Sequence, residues 1–194
     1  MTNVRHPRFT TFVDLIERLV DDAPGEPTIL EGGSALLRKL IAHDDWLPEA
    51  YATHDPKGYT QYLLHVDPRE RFSVVSFVWG PGQKSPIHNH TVWGLIGVLR
   101  GSEYSQAYVR QPDGSLVEAG PPVLVREGSV EAVSPNIGDL HAVSNALTDR
   151  PSISIHLYGA DIGKVRRSIF QLDGGTKTFI SGYSNASTTT KYIS

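Results

Sequence analysis

The sequence predicts a mainly β fold, an antiparallel sandwich or barrel preceded by an N-terminal helical layer. Three observations carry this. Short β-branched and aromatic runs recur from Tyr59 onwards, separated by turn residues and with no helical stretch between them. The 194 residues include 18 glycines and 13 prolines, a share that favours many turns. Before Tyr59 the apolar residues repeat at helical spacing instead.

In chain order, Phe12, Leu15, Ile16, Leu19 and Val20 fall on one helical face, with Thr10 or Thr11 as the N-cap. Pro24-Gly25-Glu26-Pro27 is expected to stop that helix. A second helix is expected from near Ser34, burying Leu36, Leu37, Leu40 and Ile41, with a short third after Pro48. These helices read as a packing layer. Strands are expected at Phe72–Trp79, Gly94–Leu99, Glu103–Arg110, Pro122–Arg126, Val130–Val133 and Ser152–Tyr158. Pro112-Asp113-Gly114 signals a hairpin turn. The Gly-, Ser- and Thr-rich tail after Leu172 reads as a meandering segment. The expected organisation is one domain: a helical extension over 1–58, a β-barrel core over 59–172 and a C-terminal segment over 173–194.

Composition narrows the function. A formal net charge of -3 gives no electrostatic case for nucleic acid or an anionic membrane. No apolar run approaches a membrane span. Asp14 and Glu17 fall where a signal peptide needs an apolar core, so a cytoplasmic location is expected. The chain has no cysteine, which removes disulfides, a Cys nucleophile, thiolate ligands and any cysteine-derived cofactor. Metal chemistry must then use histidine and carboxylates.

The most informative segment runs from Gly80 to Gly94 and contains His88-Asn89-His90. Side chains two apart on a strand share a face, so both imidazoles can project into a barrel interior. Two buried imidazoles are costly unless something uses their lone pairs, and a metal ion does. His141, just after a Pro/Gly turn, is the best candidate third ligand. Downstream, Ser154, His156 and Tyr158 alternate with Ile153, Ile155 and Leu157. A Ser-His-Tyr ladder leading from a metal pocket suits a hydrogen-bond relay, in which Ser154 holds His156 and His156 orients Tyr158.

The histidine segments resemble the cupin signature. Gly82, His88, His90 and Gly101 fit the first motif, but Gly94 stands where that motif has Glu. Pro135, Gly138, His141 and Asn145 resemble the second motif, with one extra residue between Pro and Gly. The resemblance therefore implies a cupin barrel whose metal is held by three neutral imidazoles. Together with Ser154-x-His156-x-Tyr158 and the run Arg71–Gly80, these residues resemble the thiol dioxygenase branch of the cupins, the cysteine dioxygenase superfamily, over about Tyr59 to Arg167.

Within that superfamily the chain looks most similar to bacterial 3-mercaptopropionate dioxygenases. Gln61 stands where the animal cysteine dioxygenases have a carboxylate-binding Arg, and the Gln-type subgroup is understood to use an Arg after the relay Tyr. Arg167 is the best match and Arg166 the alternative. The Cys–Tyr crosslink of the animal enzymes is impossible without cysteine, and Gly94 lies near its place. Asn89 replaces a common Asp and should point away from the metal.

The resemblance implies Fe(II) bound by His88, His90 and His141, and oxidation of a small thiol acid by O2 to its sulfinate. Arg167, Gln61 and Tyr158 would hold the carboxylate. The expected partners are the small thiol and O2, with a monomer favoured. Cysteine as main substrate is the nearest alternative; a zinc-dependent cupin hydrolase or isomerase is a different class, and a non-catalytic sensor lacks a basic patch or DNA-binding helix pair to support it.

Overall fold

The computed structural model describes residues 2–22, 25–186 and 191–193. Two helices lead: α1 (Pro7–Asp21) and α2 (Glu26–Ile41), then a 3-10 turn at Glu49–Tyr51. Thirteen strands follow: β1 (Thr60–Val66), β2 (Ser73–Trp79), β3 (Ile87–His88), β4 (Gly94–Arg100), β5 (Ser102–Arg110), β6 (Leu116–Glu118), β7 (Val123–Arg126), β8 (Val130–Val133), β9 (His141–Asn145), β10 (Ser152–Tyr158), β11 (Arg167–Phe170), β12 (Thr176–Ile180) and β13 (Lys191–Ile193). Every strand pair is antiparallel. One sheet runs β1-β2-β10-β4-β8 and the other β13-β12-β11-β3-β9-β5-β6, with β7 beside β5. This is the mainly β cupin architecture with an N-terminal helical layer.

The helices differ in detail from expectation. Helix α1 begins at Pro7, with His6 as its N-cap accepting from the Arg8 amide, so Thr10 and Thr11 lie inside it. Proline suits the first helical turn because its missing N–H would be unpaired there anyway. The same effect moves the start of α2 back to Glu26, since Pro27 opens that helix instead of blocking it. The strands at Val130–Val133 and Ser152–Tyr158 match expectation, and the hairpin at Pro112-Asp113-Gly114 joins β5 to β6 with Gly114 at φ +89°. The tail after Leu172 is not a meander: β12 pairs with β11 and carries the chain back to the barrel.

Strand β10 is buried along its whole length, with two apolar environments on its two faces. Ile153, Ile155 and Leu157 join the core beneath the helices, alongside Phe9, Ile16 and Leu37. Tyr158 joins a second cluster with Val75, Phe77, Trp79 and Val143 between the sheets. Alternation at period two thus turns the polar row into the barrel interior, not to solvent. Helix α2 lies low on the sheet because glycines meet it: a Cβ at Gly33 would come within 2.8 Å of Leu95, and one at Gly97 within 3.0 Å of Leu37 and Ile41.

Candidate metal centre and cavity

His88 ends β3 and His141 begins β9, and the two are register partners across the antiparallel pair. His90 lies just beyond β3. The three rings pack with centroids 4.8–4.9 Å apart, and one nitrogen from each lies within 4.8 Å of the others. The remaining nitrogens have partners. His88 Nδ1 donates to the Pro86 carbonyl at 3.0 Å, His90 Nδ1 donates to Asp139 Oδ1 at 2.8 Å, and His141 Nδ1 lies 3.5 Å from Ser105 Oγ. These bonds fix the tautomers and leave the Nε2 lone pairs free. His90 Nε2 is buried with no hydrogen-bond partner.

Burial holds all three imidazoles neutral. It lowers His141 to about 4. It drives His88 and His90 well below the ordinary value, with neighbouring histidines adding to the effect. Neutral imidazoles with converging free lone pairs are what a metal requires. The donor set therefore fits an iron ion held by three nitrogens.

Asp139 is the residue of this centre that sequence reasoning missed. It accepts from His90 Nδ1 and the His90 amide through one oxygen and from the Thr91 amide through the other. Thr91 sits at φ +62°, rare for a β-branched residue, and Asp139 ties it there. The loop ahead of Asp139 is clamped by helix α2, where Glu26 accepts from Ser134 Oγ and Asn136 Nδ2. Partners that orient a metal-bound histidine typically matter by roughly 10–100-fold in metal affinity. Asp139→Ala is therefore expected to weaken iron binding on that order in a chelator competition. Unchanged affinity would mean that His90 is oriented without Asp139.

His88 and His141 open onto a cavity of about 810 Å³, also lined by Gln61, His156, Tyr158 and Arg167. Ser154 Oγ lies 2.8 Å from His156 Nε2, and His156 Nδ1 lies 2.7 Å from Tyr158 OH. Gly94 faces Tyr158 across β4 and β10. A Cβ there would come within 2.9 Å of the Tyr158 ring, so no carboxylate ligand fits at that position.

Arg167 is 4% exposed whereas Arg166 is at the surface. Its guanidinium donates to Ser181 Oγ at 2.6 Å and sits 4.8 Å over the Phe179 ring, while Nε has no partner. Burial lowers its pKa, and nearby tyrosines oppose that. Gln61 Nε2 donates to the Gly182 carbonyl, leaving its second N–H for the cavity. Asn89 Oδ1 accepts from the Ser168 amide at 2.8 Å, which anchors β11 beside Arg167. Tyr59, Ser181 and Tyr183 also line the cavity and were not anticipated; they come from segments with no periodic signal.

A family model described as cysteine dioxygenase type I matches residues 9–168. The chain belongs to the cysteine dioxygenase type I family. Cysteine dioxygenase type 1 of Bos taurus is 29% identical over 161 residues, covering 81% of this chain and 77% of the bovine protein. Its Homo sapiens counterpart is 30% identical over the same shares. The cysteine dioxygenase family is iron-dependent, and this chain is a non-haem iron thiol dioxygenase with a three-histidine site. Among the described residues no helix is long and apolar enough to cross a membrane.

Proposed function

We propose that this enzyme oxidises 3-mercaptopropionate, or a close thiol carboxylic acid, to its sulfinic acid, with Fe(II) held by His88, His90 and His141. The observation that carries the substrate reading is Arg167, a buried guanidinium on the cavity wall with Nε unpartnered and, among the described residues, no ion pair. A buried cation is costly without an anion, and a substrate carboxylate supplies one in bidentate geometry. Gln61 adds a neutral donor. The cavity's described lining contains no Asp or Glu, and Lys57 is its other cation. An amine on the substrate would therefore be desolvated with no carboxylate to receive it.

The iron, when bound, supplies the open coordination positions and electrons that bring thiolate and O2 together. The chain's own residues place the carboxylate, shut out water around Phe77, Trp79 and Val143, and direct the Tyr158 hydroxyl into the cavity. Burial raises the Tyr158 pKa, so the hydroxyl keeps its proton and acts as a hydrogen-bond donor or acceptor. Tyr158→Phe removes only that hydroxyl. It is expected to fold and hold iron but lose on the order of 10²-fold in coupled turnover; an effect under about threefold would remove Tyr158 from the chemistry.

Cysteine as main substrate is the second reading, favoured by the names of the bovine and human relatives. Steady-state kinetics with 3-mercaptopropionate, cysteine and cysteamine separate the two. The expected order of kcat/KM places 3-mercaptopropionate at least about tenfold above cysteine, with cysteamine lower still.

A further inference from the structure

Glu103, on β5 of the opposite sheet, is 1% exposed and turns its carboxyl towards the hydroxyls of Ser152 and Ser154 on β10. Among the described residues it has no ion-pair partner, and Oε1 and Ser152 Oγ are buried with no hydrogen-bond partner. Its other neighbours are uncharged: Val125 and Asn145 flank it in register on β7 and β9, and Asn145 donates to the carbonyls of Trp79 and Arg150. Two titratable groups couple to it through charge: Glu131 on β8, itself a carboxyl, and Tyr158, whose proton Glu103 helps to hold.

We propose that Glu103 is a positioning residue for the thiol oxidation, and that its carboxyl proton sets the direction in which every hydrogen bond of the Ser154–His156–Tyr158 relay points. The inference rests on the relay reading above.

Ser154, neutral His156 and Tyr158 each both donate and accept, so the chain can run either way and its end decides. With Glu103 protonated, its O–H donates to Ser154 Oγ, which also receives the Trp79 Nε1–H at 3.4 Å. Ser154 then donates to His156 Nε2, and His156 Nδ1–H donates to Tyr158. The Tyr158 hydrogen is left to point into the cavity. With Glu103 ionised, Ser154 donates to the carboxylate, His156 Nε2–H donates to Ser154, and Tyr158 donates to His156 Nδ1. Tyr158 then presents only lone pairs to the substrate. Each arrangement pairs Ser154, His156 and Tyr158 in one direction, and the two differ by one proton on Glu103, exchanged with solvent. Desolvation raises Glu103 to about 8, so the first arrangement prevails at neutral pH and gives way as pH rises through that value.

The test is the His156 tautomer, read by 15N NMR on the full chain loaded with zinc as a diamagnetic ion, from about pH 6 to about pH 9.5, with His156→Gln assigning the signals. The expected result is a change from Nδ1–H to Nε2–H with a midpoint near 8. Glu103→Gln, which cannot ionise, should hold one tautomer throughout, and Ser154→Ala should uncouple His156 from the titration. In the iron-loaded enzyme kcat is expected to fall as pH rises through about 8, and that fall should be absent in Glu103→Gln. A wild-type tautomer constant across the range, or one that moves equally in Glu103→Gln, overturns the proposal. The tautomer is read without turnover, so a kinetically inert Tyr158→Phe would defeat the relay reading while leaving this result to stand or fall separately.

Discussion

Alanine at His88, His90 or His141 is expected to abolish iron retention and thiol-dependent O2 uptake, each substitution alone having the full effect. The three Nδ1 atoms are committed to Pro86, Asp139 and Ser105, so the metal has three nitrogens to use and loses one in each variant. Among the described residues the cavity lining holds no carboxylate to replace it: Gly94 stands at the cupin carboxylate position, and the Tyr158 ring occupies the space a side chain would need. Two imidazoles are a poor site for a divalent iron that prefers several ligands. Metal content after gel filtration and an O2-uptake assay read the outcome together. A variant with wild-type iron and turnover would show that its histidine is not a ligand.

The second large effect belongs to Arg167→Ala. Its guanidinium is the buried cation available to a substrate carboxylate, held in place by Ser181 and the Phe179 ring. Hydrogen bonds to charged groups contribute roughly 1.5–3 kcal/mol, and about 1.4 kcal/mol is a factor of ten. KM for 3-mercaptopropionate and for cysteine should therefore rise about tenfold or more. KM for cysteamine, which has no carboxylate, should stay nearly unchanged. Equal losses for all three thiols would make Arg167 a structural residue. Arg167→Lys should recover only part of the loss, because an ammonium keeps the charge without the planar fork.

The parts of the site that were legible in the sequence obey local rules. Ser154-x-His156-x-Tyr158 is a ladder at strand period, and that period places the three on one face of β10; His88-x-His90 was legible as a pair, but His90 lies beyond the end of β3, so the turn after the strand and Asp139 set its direction instead of strand period. The glycine at position 94 was legible as a missing ligand, and the Tyr158 ring supplies its reason. The residues that were missed depend on distant segments. Asp139 is a lone acid in a turn until the fold sets it beside His90. Glu103 sits in a strand whose neighbours are mostly half-buried or exposed, and only the opposing sheet shows that it is enclosed. Tyr183 and Ser181 lie in a Gly- and Ser-rich stretch with no periodic signal, yet the pairing of β12 with β11 carries that stretch to the cavity. The two helix starts were misplaced because Thr10 or Thr11 was taken as the cap of α1 and Pro27 as part of a stop, although proline in the first turn, as at Pro7 and Pro27, costs no hydrogen bond.

The most direct test of the whole account is an oxygen-electrode assay of the iron-loaded protein with each thiol, with product sulfinate quantified by mass spectrometry from isotopically labelled O2. Adding both oxygen atoms to a thiolate yields a sulfinate and consumes one O2 per product. The account predicts that stoichiometry with 3-mercaptopropionate, both labelled oxygens in the product, and a kcat/KM at least about tenfold above that for cysteine. O2 consumption without labelled sulfinate, or a clear preference for cysteine, would contradict it.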